Sequence, residues 1–256
     1  MSEPNRIIQL DDATIGHIAA GEVVERPAQV VKELLENSLD AGAKRIVITV
    51  ESGGFDLIRV EDDGSGIAAK DLPLALDRHA TSKLKTKEDL NSIHTLGFRG
   101  EALASIGMVS GLSIASRPAG EEGKQIRMID GTKEGAEPFG MPNGTRIDVE
   151  HLFENTPARL AFQRRPATEN ARIVDVVVAH AMAHMDVGFR LLIDERAVLD
   201  VPASEQMADR LYDLLGGQAQ SMLSIEAPPA DAQAPGEEAW QGWISTPDRS
   251  EEHTHV

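Results

Sequence analysis

The chain has 256 residues, a net charge of −17, no cysteine, and 41% apolar but only 4% aromatic residues. That length can bury a sizeable core in one large domain or two smaller ones; the charge argues against a generally basic nucleic-acid binder, and the missing thiols exclude disulfides and thiolate metal sites. Arginine outnumbers lysine 17 to 8, and acid-rich, lysine-poor surfaces stay soluble at high salt, so a halophilic source is expected.

In chain order, the first six residues lead into no apolar run and are not a secretory signal. Residues 7–10 read as a short strand or arm, and Asp11 or Asp12 caps a short helix through Ile15 and Ile18. Residues 26–42 then read as one amphipathic helix, with Pro27 in its first turn and Gly42 in the left-handed position just past its end. Val31, Leu34, Leu35 and Leu39 form an apolar stripe for a sheet, while Glu33, Asn37 and Asp40 share the opposite face. The Asn37 amide oxygen is a neutral hard ligand suited to Mg²⁺, and Glu33, one turn earlier, could orient and deprotonate a water for attack on a phosphate. A merely solvated acidic face has the same pattern.

Residues 44–51 and 55–61 alternate as two strands around a Ser52-Gly53-Gly54 turn. The next loop, Glu61-Asp62-Asp63-Gly64-Ser65-Gly66, offers a carboxylate for an exocyclic amine such as adenine N6. Gly64 and Gly66 let backbone approach a flat base, although a plain glycine turn looks alike. Residues 69–78 read as a short helix leading to Thr81-Ser82-Lys83, where a lysine beside two hydroxyls can meet a phosphate or simply be solvated. His79 has no His or Cys companion nearby and is read as structural. Gly97-Phe98-Arg99-Gly100-Glu101-Ala102-Leu103 is a glycine-flanked loop feeding a helix. Free N–H groups at such a start favour phosphate oxygens, and Arg99 adds charge. The Walker pattern and the dinucleotide fingerprint are both absent.

Three further strands are predicted at 109–116, 124–130 and 144–150, with Thr145 heading the last, placed to bond a base edge or its water. Thr156 is expected to cap a helix that starts at Pro157. A long helix at 168–185 follows; its apolar stretch, 173–185, is too short and too polar at Asp175, His180 and His184 to span a membrane, so a cytoplasmic protein without membrane contact is expected. A hairpin at 188–201 and a helix at 204–215 come next. Two strands at 221–226 and 240–245, split by a proline-rich loop, cannot bury a core alone and read as the start of a second domain. His253 and His255 are too few for a metal site.

With these segments in order, the chain resembles the amino-terminal ATPase region of the MutL family of mismatch-repair proteins, within the GHKL superfamily. The Glu33/Asn37 helix, the Asp62-Asp63-Gly64-Ser65-Gly66 loop and Thr145 look like superfamily motifs. Residues 19–27, 97–103 and 155–159 look specific to MutL. The resemblance spans most of residues 7–215. It implies an α/β fold, the GHKL (Bergerat) two-layer sandwich with helices on one face of a mixed sheet. Residues 1–215 would be the ATP-binding domain and 216–256 the incomplete start of a second, transducer-like one.

It also implies roles. Glu33 would be the general base, Asn37 the Mg²⁺ ligand, and Asp62 the adenine selector with Gly64, Gly66 and Thr145. Thr81, Ser82, Lys83, Arg99, Gly100, Glu101, Ala102 and Leu103 would line the phosphates, with Gly100 in a lid. The implied activity is slow, Mg²⁺-dependent ATP hydrolysis. ATP would order the lid, two copies would dimerise into a clamp on mismatch-containing DNA, and a MutS-like protein would be the partner. Two departures stand out: Asp63 replaces a frequent Asn, and no residue here matches the second-domain lysine that reaches the γ-phosphate. If Val256 is the true end, the expectation is a fragment that binds ATP or DNA without hydrolysis. Arg159, Arg164 and Arg165 are the small basic patch available for DNA.

Overall fold

Pro27 and Gly42 bound the first long helix as their chemistry requires. In this computed structural model α1 runs Pro27–Asp40, and Gly42 sits at φ +73°. The structure describes residues 23–83, 95–97, 100–226 and 241–245, with 9, 15, 16, 20 and 21. The arm at 7–10 apart from residue 9, the Asp11/Asp12 cap, Arg99, the loop at 227–238 and the two terminal histidines lie outside the described residues.

Alternating Ile46, Ile48 and Val50 make β1 (Arg45–Glu51), and Ile58 and Val60 make β2 (Leu57–Asp62); all five are at most 2% exposed. Between them Gly53 (φ +71°) and Gly54 (φ +88°) turn the chain. The helix expected at 69–78 shrinks to α2, Leu72–Ala75, with Pro73 in its first turn. After α3 (Ala102–Met108) come β3 (Gly111–Arg117) and β4 (Lys124–Ile129). Two short strands, β5 (Thr132–Lys133) and β6 (Glu137–Pro138), escape a periodicity reading because two residues show no period. β7 (Gly144–Glu150), α4 (Pro157–Phe162), α5 (Pro166–Ala183), β8 (Gly188–Ile193), β9 (Arg196–Val201) and α6 (Met207–Leu215) complete the order. Several expected starts move: β2 begins at Leu57, β3 at Gly111, α5 at Pro166, and α6 three residues late at Met207.

The strands form one mixed sheet in the order β5-β4-β3-β7-β2-β1-β8-β9, with β6 paired to β4. All pairs are antiparallel except β1 with β8, where Ile48 aligns with Leu191. The pleat sorts the two faces. Ile58 and Val60 face the helices together with their partners Val149 and Ile147. On the other face Arg59 pairs with Asp148, whose carboxylate accepts Arg59 Nε at 2.7 Å and Arg146 Nη2 at 2.9 Å. An antiparallel-rich sheet with one polar face and one apolar face needs helices on the apolar side only. There α1 and α5 pack beside each other over β2 and β8.

Because α5 covers a second side of α1, the helix is buried more widely than its predicted stripe. Ala28 and Val30 join Val31, Leu34 and Leu35 in the core. Truncating Leu34 or Leu35, both fully buried, would cost about 2–5 kcal/mol. Beyond α6, Gly216 turns the chain at φ +58°, and β10 (Met222–Glu226) pairs antiparallel with β11 (Gln241–Ser245) in a separate two-stranded sheet. Among the described residues no helix is long and apolar enough to cross a membrane.

Candidate nucleotide site

The register of β2 against β7 places Asp62 opposite Thr145 on the helix side of the sheet. Asp62 is then held from three directions. Its Oδ1 accepts the N–H groups of Gly64 at 2.9 Å and Thr145 at 3.3 Å, and its Oδ2 accepts the Ser38 hydroxyl at 2.9 Å. A carboxylate has about four acceptor positions, so one on Oδ2 remains for an incoming donor. Burial pushes the Asp62 carboxyl above its ordinary range, while the bonds from Gly64, Ser38 and Thr145 pull it back.

Both glycines of this loop are needed. A Cβ at Gly64 would lie 2.9 Å from Ala41 O, and Gly66, at φ +72°, would press a Cβ to 2.8 Å from Pro118 N. Asp63 turns away from the cleft and accepts the Lys44 and Arg45 N–H groups at 2.7 and 2.9 Å. That role needs only an acceptor, so the exchange from Asn keeps it. Thr145, 6% exposed, shares a hydroxyl bond of 3.0 Å with Ser116, and Ser116 Oγ also accepts the Ile67 N–H at 2.8 Å.

The residues expected to line the phosphates gather beside the same last turn of α1 that carries Ser38. Asn37 Oδ1 accepts a hydrogen bond from Lys83 Nζ at 2.8 Å, and the same ammonium lies 2.6 Å from Asp40 Oδ2. A Cβ at Gly97 would stand 3.1 Å from Lys83 Nζ. The loop before Lys83 packs on Gly100, which at φ +62° would drive a Cβ to 2.5 Å from Ala80 O. His79 Nδ1 meets Glu101 Oε1 at 3.1 Å. Thr81 Oγ1 accepts the Lys83 N–H at 3.1 Å; Thr81 and Ser82 are exposed. Glu33 lies half-buried one turn before Asn37, and Ala102 and Leu103 open α3, also half-buried.

So Asn37, Lys83 and Gly97 meet around Asp40, with Gly100 and Glu101 against the loop before Lys83, while Asp62, Gly64, Gly66 and Thr145 form a second group. Ser38, adjacent to Asn37 and bonded to Asp62, joins the two. Asn37 Oδ1, a neutral hard oxygen of the kind that suits Mg²⁺, already faces a cation, the Lys83 ammonium.

Ser38, Asp40 and Ser116 have partners that sequence reasoning did not assign. Asp40 stood on the polar face with no stated job, and nothing in the sequence singled out Ser116. Thr156 is a correction: its hydroxyl does not cap α4 but donates back to Phe153 O at 3.3 Å. The basic patch is corrected too. Arg159 is half-buried, with its guanidinium where a Cβ at Gly21 would fall, and only Arg164 and Arg165 are exposed. That contact joins two of the motifs, residues 19–27 and 155–159. A separate cavity of about 420 Å³, between β4 and the turn after β7, is lined by Arg127, Asp130, His151 and Asn155. Its Asn155 amide is spent on Met108 O and Asp130 Oδ1, which closes a loop rather than a site.

The chain is similar to known proteins over most of its length. The histidine kinase-, DNA gyrase B-, and HSP90-like ATPase family model matches residues 25–154. A DNA mismatch repair protein MutL from Halobacterium salinarum is 44% identical over 247 residues, covering 95% of this chain and 37% of that protein. MutL from Acidiphilium cryptum is 49% identical over 223 residues, covering 86% of this chain and 38% of its own length. The chain therefore spans less than two fifths of these relatives. Among solved structures, the Aquifex aeolicus MutL ATPase domain complexed with ADP superposes with TM-score 0.66 at 31% identity, over 80% of this chain and 73% of that one. The chain belongs to the histidine kinase-, DNA gyrase B- and HSP90-like ATPases and, among them, to the MutL family, as the ATPase region.

Proposed function

We propose that this chain binds ATP with Mg²⁺ and hydrolyses it slowly, as the nucleotide-driven part of a mismatch-repair protein. The observation that carries the reading is that one helix serves both ends of the cleft. Asn37 presents its amide oxygen to a cation, while the neighbouring Ser38 fixes Asp62 for a base. Asp62 uses its remaining acceptor position for the adenine amine, and Gly64 and Gly66 keep side chains off the ring. Lys83, Thr81, Ser82, Arg99 and the 100–103 turn bind the triphosphate. Asn37 would hold Mg²⁺, which when bound neutralises phosphate charge.

Glu33 acts as general base. Its carboxylate takes a proton from water as the water oxygen bonds to the γ-phosphorus and the bridge to the β-phosphate breaks, leaving ADP and phosphate. Family membership supports a role in DNA mismatch repair, with ATP-bound copies dimerising as a clamp on DNA and answering to a MutS-like protein. The separate β10–β11 ribbon supports reading residues 216–256 as the start of a second domain after an ATP-binding domain at 1–215. The acid-rich, lysine-poor composition supports a halophilic source.

Glu33→Ala tests the mechanism. Calorimetry should show ATP binding unchanged, while phosphate release falls roughly 10²–10⁴-fold. Undiminished release would remove Glu33 from the chemistry. ATP bound without any release by the unaltered chain would make it a non-hydrolysing module, and no ATP binding would sink the reading.

A further inference from the structure

Asp40 has the fullest set of partners at the phosphate end, yet the proposed chemistry gives it nothing to do. Its carboxylate accepts Leu96 N–H at 3.0 Å and Gly97 N–H at 3.2 Å, and pairs with Lys83 Nζ at 2.6 Å. The side chains of the pair are only 9% and 18% exposed, so water and salt screen it less than a surface pair. The same ammonium covers Asn37 Oδ1. The oxygen suited to a metal is thus capped by a lysine, and the lysine suited to a phosphate is neutralised by an aspartate.

We propose that Asp40 is a positioning residue that takes the place of the phosphates when the cleft holds no nucleotide. It stores Lys83 against α1, and with it the 95–97 segment, until ATP draws the lysine away. The proposal rests on the nucleotide reading of this cleft. Moving Lys83 Nζ from Asp40 Oδ2 to a phosphate oxygen exchanges one anion for another, so the ammonium is never left unpaired in a half-buried place. The same movement uncovers Asn37 Oδ1. Because Asp40 also holds the N–H groups of Leu96 and Gly97, departure of the lysine changes the anchor of the segment that leads into the glycine-flanked loop. The chain is therefore latched by its own charges, and apparent affinity is lowered by the fraction of molecules latched.

A double-mutant cycle isolates the latch. Mg²⁺-ATP binding would be measured by calorimetry for the unaltered chain, Asp40→Asn, Lys83→Met and the double variant. Asp40→Asn should tighten binding about tenfold when Lys83 is present and less than twofold when it is Met. Equal tightening in both backgrounds would mean only a lost negative field, and weaker binding on the Lys83 background would mean that Asp40 helps hold ATP; either overturns the proposal. Amide exchange in the nucleotide-free protein gives an independent check. Leu96 and Gly97 should be protected in the unaltered chain and about tenfold less so in Asp40→Asn. Rapid exchange of both in the unaltered chain would also overturn it. Failure of every variant to bind ATP would instead remove the nucleotide reading itself.

Discussion

The two ends of the cleft share a helix but are satisfied by different chemistry. At the base end, the described partners of Asp62 are two backbone N–H groups and a serine hydroxyl, all neutral and all on or beside regular elements. At the phosphate end Asp40 also accepts the Leu96 and Gly97 N–H groups, but Asn37, Asp40 and Lys83 are tied to one another through an ammonium that reaches in from a loop. Neutral donors built into the backbone cannot leave without remaking the fold. A charged side chain can trade one counter-ion for another. On the proposed nucleotide reading, the base end is a fixed template and the phosphate end an exchangeable one.

Matched glycine substitutions give the largest test of that difference. Gly144 sits at φ +120°, and a Cβ there would fall 1.9 Å from Asp62 O, a backbone atom. Gly144→Ala should lose about 3 kcal/mol or more, from strain and overpacking together. At Gly97 the nearest obstacle is the mobile tip of Lys83 at 3.1 Å, so Gly97→Ala should stay within about 1 kcal/mol of the unaltered chain. Urea midpoints would show it, and similar costs at both sites would erase the contrast.

Base selectivity gives the next effect. In Asp62→Asn the amide oxygen would keep the Gly64 and Thr145 bonds, and its NH₂ would replace Oδ2 at the cleft. A donor there meets the adenine amine with another donor but suits a guanine carbonyl. The preference for ATP over GTP should fall roughly 10–100-fold, about 1–3 kcal/mol. Competition binding that still favours ATP as strongly would take Asp62 out of base selection.

Acid titration gives the smallest effect and sets Asp62 against a carboxylate on the same strand pair. Asp62 is pushed up by burial, so the folded chain takes its proton first as pH falls. Its share of stability therefore rises as pH drops through the raised folded value towards roughly 4. For Asp148 burial pulls upward, but hydrogen bonds from Arg146 and Arg59 outweigh it and hold the carboxyl low. Its stabilisation is present above roughly pH 4 and is lost as pH falls through the lowered folded value. Unfolding free energies of Asp62→Asn and Asp148→Asn, each compared with the unaltered chain, should diverge with opposite slopes. Slopes of the same sign would contradict the two environments.

Much of the candidate site was legible because its motifs are local. Glu33 and Asn37 are one helical turn apart, and Asp62, Gly64 and Gly66 share a single loop, so spacing alone places them. The partners that hold them were not legible. Ser38 and Asp62 are 24 residues apart, Leu96 and Asp40 are 56 apart, and Thr145 and Asp62 are 83 apart. Thr156 shows the limit at short range as well: a threonine before Pro-x-x has the composition of a cap, but the chain enters α4 with its hydroxyl turned to Phe153 O.

By itself the sequence determined α1 between Pro27 and Gly42, the alternation of β1 and the turns at Gly53, Gly64 and Gly66, because each follows from side-chain period or backbone freedom within a few residues. Tertiary structure alone decided that β8 enters parallel beside β1, that Ser116 braces Thr145, and that Lys83 rests on Asn37 and Asp40. Those outcomes depend on which distant strands and loops come into register, and that is settled by packing the whole sheet against α1 and α5 rather than by any local pattern.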